Sequence, residues 1–171
     1  MANEKKYAVV RTDNMFGTDV RAGLVSVKYM GADGAVAEEI ENGCVVKLKE
    51  LAEGEREVFI GVTPAADDAM NDIVLIAAPE VMYDERKKNL DQYINEAGKS
   101  ARGYCLHEGN FFSLTAEGFV GTPAKGNIVE LTNGIKLNAV ASATDNATKI
   151  GKIVDVEIAG RYTYYVVRIG A

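Results

Sequence analysis

Tryptophan is absent from the 171 residues, histidine occurs once, cysteine twice and proline three times. A single histidine leaves little material for zinc or imidazole acid–base chemistry, which draws on several such side chains. Cys44 and Cys105 lie far apart and form no C-x-x-C pair, so they read as two buried thiols of a reducing compartment. A single disulfide stays open only if the strands that carry them are neighbours. Basic charge is short as well. Lys and Arg number 19 against 25 Asp and Glu, a net charge of −6, the wrong sign for a protein that grips nucleic acid by its phosphates. No apolar run approaches the roughly 18–20 residues that span a bilayer, and Met1 to Val10 has neither the apolar core nor the cleavage site of an export signal. The expectation is a chain with no nucleic-acid or membrane partner.

What is present is ordinary for a folded domain: 47% hydrophobic and 26% charged residues, enough to bury one core. Residues 1–36 differ from the rest. Short apolar pieces, Tyr7 to Val10 and Leu24 to Val27, are separated by Gly17, Gly23, Gly31 and Gly34 without helical periodicity. Two readings stand: strands added to the protein's own sheet, or an extended arm that orders on a neighbouring subunit. The expected division is an extended N-terminal arm over 1–36 and a single β-rich domain over 37–171.

From Glu41 onward the pattern predicts antiparallel sheet. Asn42-Gly43 reads as a type I′ hairpin turn, which needs positive φ at both residues, and leads into the strand Cys44 to Lys49. Ile73 to Ala77 is apolar on both faces, as in a central strand. One helix is predicted near 84–97: Asp84 can cap it, Leu90, Tyr93, Ile94 and Ala97 form one stripe, and Gly98 can close it. Glu108-Gly109-Asn110 is expected to join two strands as a hairpin, Asn133-Gly134 is a second type I′ candidate, and Ala159-Gly160 joins the last two strands. Val154, Val156 and Ile158 alternate with Asp155 and Glu157, predicting one buried face, and Tyr162 to Ile169 is predicted to be covered on both faces. The predicted class is therefore α+β, predominantly β. Antiparallel strands form a small barrel or sandwich, with one amphipathic helix and the arm.

Chemistry is sparse. Gly121 to Gly126 has the glycines of a phosphate loop but lacks the Lys and Ser/Thr that contact phosphate and Mg²⁺. Cys105 and His107, at i and i+2 on a strand, share a face and allow a thiol–imidazole contact, but no orienting group or oxyanion hole can be assigned. Glu38-Glu39, Glu53 and Glu55, and Asp67-Asp68 read as solvated surface rather than metal ligands. The expectation is no catalytic, cofactor-binding or metal site.

Several phrases resemble the head decoration, or capsid cement, proteins encoded beside the major capsid protein in tailed phages of Gram-positive bacteria. They are Glu41 to Leu48, Gly54 to Val58, Ala78 to Asp84, Asn95 to Gly98 followed by Arg102 to Tyr104, and the closing glycine-punctuated strands. The resemblance implies a viral structural protein on the capsid surface, assembled in the host cytoplasm. Its partners would be the major capsid protein and copies of itself, in trimers or other small oligomers. It also implies contact residues: Tyr7, Val9, Val10, Met15 and Phe16 of the arm, with Tyr162 and Tyr164 of the last strand as a second surface. Other classes share a β-rich, site-free sequence, namely a tail tube, baseplate or head–tail connector component and a surface carbohydrate-binding β-module. A small cysteine hydrolase using Cys105 and His107 is the enzymatic competitor.

Overall fold

The computed structural model describes residues 23–79, 93–160 and 162–171, which form two curled sheets around two adjoining apolar cores. The first sheet closes into a barrel from β1 (Leu24–Tyr29), β2 (Val45–Leu51), β3 (Val58–Val62), β4 (Ile73–Ile76) and β5 (Ala101–Cys105). Around the barrel the order is β1-β3-β2-β4-β5, with β1 and β3 parallel and the other pairs antiparallel.

Five strands enclose a narrow interior, and the sequence meets that limit with glycine. Gly61 on β3 and Gly103 on β5 both face Val27. A Cβ at Gly61 would stand 2.6 Å from one Val27 methyl, and a Cβ at Gly103 would stand 2.9 Å from the other. Glycine in a strand gives up side-chain packing; here its absence makes the room that Val27, Val46 and Val74 fill.

The second sheet contains β6 (Phe111–Leu114), β7 (Phe119–Val120), β8 (Ile128–Thr132), β9 (Gly134–Val140), β10 (Lys149–Ala159) and β11 (Tyr162–Ile169), in the order β6-β11-β10-β8-β9-β7. The two sheets meet through β2 and β4. Val46, Val74 and Ile76 pack inside the barrel, whereas their neighbours Val45, Ile73 and Leu75 pack against Leu131, Leu137, Ile150, Ile153 and Val167. This explains why all four residues of β4 are buried, as expected of a strand with apolar residues on both faces.

Several local expectations change. Of the segment 1–36 set apart as an arm, Leu24–Tyr29 is a barrel strand with Val27 and Tyr29 buried; residues 1–22, and with them Tyr7, Val9, Val10, Met15 and Phe16, lie outside the described residues. The helix expected at 84–97 falls largely on 80–92, also outside them. Its last part is described and is not helical. Asn95 forms an antiparallel bridge with Ile40, and this pairing takes the backbone groups that a helix would use. Among the described residues the only helical pieces are 3₁₀ turns at Met70–Asp72 and Ala116–Gly118, so the described chain is predominantly β; most of the expected amphipathic helix, 84–92, lies outside those residues.

Turns differ in kind. Gly43 has φ +86° but Asn42 does not have positive φ, so this turn is not type I′. Nor does it close a hairpin: Ile40 before it pairs with Asn95, while β2 after it pairs with β3 and β4. Asn133 does link the paired strands β8 and β9, yet neither it nor Gly134 has positive φ. The turn at Glu108 to Asn110 carries the chain from the barrel to the other sheet, since β5 pairs with β1 and β4 while β6 pairs with β11. Only Ala159-Gly160 behaves as expected, joining the antiparallel β10 and β11.

Candidate functional site: an apolar groove between the two sheets

Because β5 and β6 are consecutive yet belong to different sheets, space opens between them. The result is a groove of about 830 Å³. The barrel side supplies Leu24, Tyr104, Cys105, Leu106 and His107; the sheet side supplies Phe111 to Leu114, Tyr162 and Tyr164. Its rim is unusually apolar for a surface, with Phe111 61% exposed and Leu24 and Tyr104 about two-fifths exposed. A contiguous patch of this kind on a folded domain marks a place where something binds.

The structure brings together two pairs singled out in the sequence. Tyr162 and Tyr164, two apart on β11, share a face, and their rings stand 6.1 Å apart at 54° on the groove wall. Cys105 and His107 line the same groove. The His107 Nε2 is buried and has no hydrogen-bond partner among the described residues, which costs free energy unless a bound group satisfies it.

β10 and β11 also outrun their sheet. β8 pairs with β10 only over Lys149–Lys152, and β6 pairs with β11 only over Tyr165–Arg168. Beyond these, Glu157–Ala159 and Tyr162–Tyr164 pair with each other as a two-stranded ribbon. A bulge between Ile153 and Asp155 precedes it. The buried face expected for Val154, Val156 and Ile158 is therefore absent: Ile158 is 81% exposed and Val156 37%. The alternation is real, but among the described residues no layer lies opposite the ribbon. Tyr162, Tyr164 and Tyr165 are each half-buried, so β11 is covered less completely than expected.

Three titratable groups outside the groove, Glu130, Asp68 and Cys44, are held within the fold. Glu130 is buried and accepts hydrogen bonds from Thr144 N at 2.9 Å, Thr144 Oγ1 and Asn138 Nδ2. Asp68 pairs with the Lys47 ammonium and accepts from Ala65 N at 2.7 Å. It was expected to be solvated surface; it is instead 14% exposed and ion-paired. Burial pushes the Cys44 thiol up to about 11, helped by the nearby Glu41 charge. Cys44 and Cys105 remain thiols. β4 separates them, with Cys105 opposite Val74 and Cys44 O accepting from Ile76 N, and two strand spacings exceed what a disulfide bridges. In the Gly121 to Gly126 loop, Gly126 N donates to Ile153 O at 2.8 Å and Asn127 N to Ala124 O at 3.0 Å, so these amides are committed to the fold. Among the described residues no group of three or more His, Cys, Asp or Glu is placed to hold a metal ion, and no helix is long and apolar enough to cross a membrane.

Sequence reasoning picked out Tyr162, Tyr164, Cys105 and His107 but missed Leu24, Tyr104, Phe111 and Phe112. The available signal was Phe111-Phe112, two large apolar residues in succession directly after a glycine turn, which places one of them on each face of a short strand. No family model, curated protein or solved structure matches the chain.

Proposed function

We propose that this chain is a non-enzymatic structural protein of a phage virion that binds the outer surface of an assembled capsid and stabilises the head. The observation that carries the reading is a pair of apolar surfaces, the groove with the exposed Phe111 and the ribbon with the exposed Ile158. They lie on a fold in which Glu130 and Asp68 are held by the protein's own hydrogen bonds and ion pair. The sequence phrases at Glu41 to Leu48 and Ala78 to Asp84 support the same class. The partners in this reading are the major capsid protein and further copies of the chain. The contact residues are Tyr162 and Tyr164, together with Tyr7, Val9, Val10, Met15 and Phe16 where they meet the lattice or a sister copy. Cementing of this kind works by multivalency: modest contacts repeated on a lattice sum to a firm hold because neighbours raise the effective concentration.

The test is cryo-electron microscopy of the protein co-produced with its cognate capsid protein. Regular added density on the outer shell, lost in an Ile158→Asp variant that still folds, is the expected result. Bare shells beside free protein overturn the reading. Higher-order rings without affinity for heads would point to a tail or connector component, and selective glycan binding by the wild type to a carbohydrate-binding module.

A further inference from the structure

We propose that Asn133 is a self-modification site, at which the backbone nitrogen of Gly134 displaces the side-chain amide and converts the residue to aspartate or isoaspartate. The inference concerns the isolated chain and does not rest on the capsid reading.

The chemistry begins in the sequence. The chain has two Asn-Gly steps, Asn42-Gly43 and Asn133-Gly134. Glycine after asparagine lets the next peptide nitrogen approach the side-chain carbonyl, because no Cβ stands in the way. In the reaction the Gly134 nitrogen bonds to Asn133 Cγ and gives up its proton to hydroxide. The Cγ–Nδ2 bond breaks, and the amide leaves as ammonia with a proton taken from water. Water then opens the cyclic imide: cleavage at Cγ leaves aspartate, and cleavage at the Asn133 backbone carbonyl carbon leaves isoaspartate. Water is the sole co-reactant.

The fold separates two steps that the sequence presents alike. Around Asn42 the reacting groups are engaged. Gly43 N donates to Ile76 O at 2.7 Å, Asn42 Nδ2 donates to Ala78 O at 2.8 Å, and Asn42 Oδ1 accepts from Ala78 N and Asn95 Nδ2, both at 3.0 Å. Attack there requires that several of these bonds break first. Asn133 differs. It is the exposed tip between β8 and β9, where Thr132 pairs with Gly134 directly across it. Its Oδ1 accepts from Ala66 N at 2.9 Å. Negative charge develops on that oxygen as Gly134 attacks, so the Ala66 amide favours the reaction as a fixed oxyanion donor does.

The product acts on the junction between the sheets. Ala66 lies in the loop between β3 and β4 of the barrel. It is tied to the second sheet by Asn133 and by Thr148 N, which donates to Ala66 O at 2.7 Å. Isoaspartate adds a methylene to the backbone of the tip. Either product adds a carboxylate to the hollow that Asn133 shares with Asp67 and Asp145. Like charges and a lengthened turn both weaken the tie, so conversion marks aged protein with a loosened junction.

The test is ageing of the full chain at mildly alkaline pH, native and in urea, with peptide mapping of aspartate and isoaspartate at both steps. In the native protein Asn133 should convert at least about tenfold faster than Asn42, the difference that one or two protecting hydrogen bonds make to a barrier. In urea the two rates should converge. Gly134→Ala should slow conversion at Asn133 severalfold and leave Asn42 unchanged. The fold accepts this variant, because an added Cβ meets only Thr132 Oγ1, at 3.4 Å. The product, separated by its extra charge on ion exchange, should melt below the unreacted protein. Equal native rates overturn the proposal, as does faster conversion at Asn42 or a rate at Asn133 indifferent to Gly134→Ala. Product that melts with the unreacted protein overturns the loosened junction.

Discussion

The Asn95 side-chain amide donates to the Asn42 Oδ1 at 3.0 Å and to the Ile40 carbonyl at 2.9 Å. Asn42 in turn exchanges two hydrogen bonds with the backbone of Ala78, at 2.8 and 3.0 Å. Two asparagines thus tie three separate stretches of chain together at the mouth of the barrel. Asn42→Ala would remove the bonds to Ala78 and leave the buried Asn95 amide short of an acceptor. The expected loss is about 1–3 kcal/mol of stability, seen as a lower urea midpoint with an unchanged slope. Asn42→Asp, which keeps the acceptor, should lose less.

The barrel interior makes a sharper prediction. Gly103→Ala places a methyl 2.9 Å from Val27 and 3.0 Å from Val74, overpacking that costs about 1–3 kcal/mol. Combining it with Val27→Ala should recover part of the loss, because the two changes share one space. Additive losses in a double-mutant cycle would show that the clash is relieved elsewhere.

The Lys47–Asp68 pair sets an acid response. Burial raises the Asp68 carboxyl, but the Lys47 hydrogen bond, the Ala65 amide and the Lys47 charge outweigh it and leave it below its ordinary value of 3.8. Lys47 is raised above 10.5, chiefly by the Asp68 hydrogen bond. A carboxyl lowered in the folded state stabilises fully above about 3.8 and loses that contribution as pH falls through its folded value. A raised lysine contributes fully below about 10.5 and loses it as pH rises through its folded value. Asp68→Asn should therefore lower stability by about 0.5–1 kcal/mol at neutral pH, in keeping with a partly exposed pair. The difference from wild type should shrink on acidification below pH 3.8, which thermal melts across pH 2–7 would follow.

The two cysteines should separate by reactivity. Cys44 is 1% exposed and its thiol is pushed up to about 11, so thiolate is scarce at neutral pH. Cys105 is half-buried on the groove wall. Labelling under native conditions followed by peptide mapping should mark Cys105 first, with Cys44 reacting only as the barrel opens. Equal rates would mean that the β2–β4 face opens readily.

Local sequence carried much of the strand pattern. Ile73–Ile76 read as a two-faced central strand and is one, and the Ala159-Gly160 link joins the strands it was expected to join. The misreadings have a common physical origin. The Tyr93 to Ala97 part of the helical stripe is set by periodicity alone, while Asn95 answers to Ile40, 55 positions away. The alternation over Val154–Ile158 correctly signals a strand but cannot say whether a layer lies opposite it. Asn42-Gly43 is a turn in both readings, and the long-range pairing of Ile40 with Asn95, together with the side-chain bonds of Asn42, makes it a junction rather than a hairpin.

By itself, the sequence determined the apolar alternation that makes strands, the glycines that turn the chain, and the excess of acid over base, because each depends on a residue and its near neighbours. The tertiary structure decided which strands pair, and those choices placed Gly61 and Gly103 around Val27, opened a groove between β5 and β6, and left Ile158 uncovered. Pairing is settled by burial between residues far apart in the chain, where closing a long loop costs entropy that only the assembled core repays.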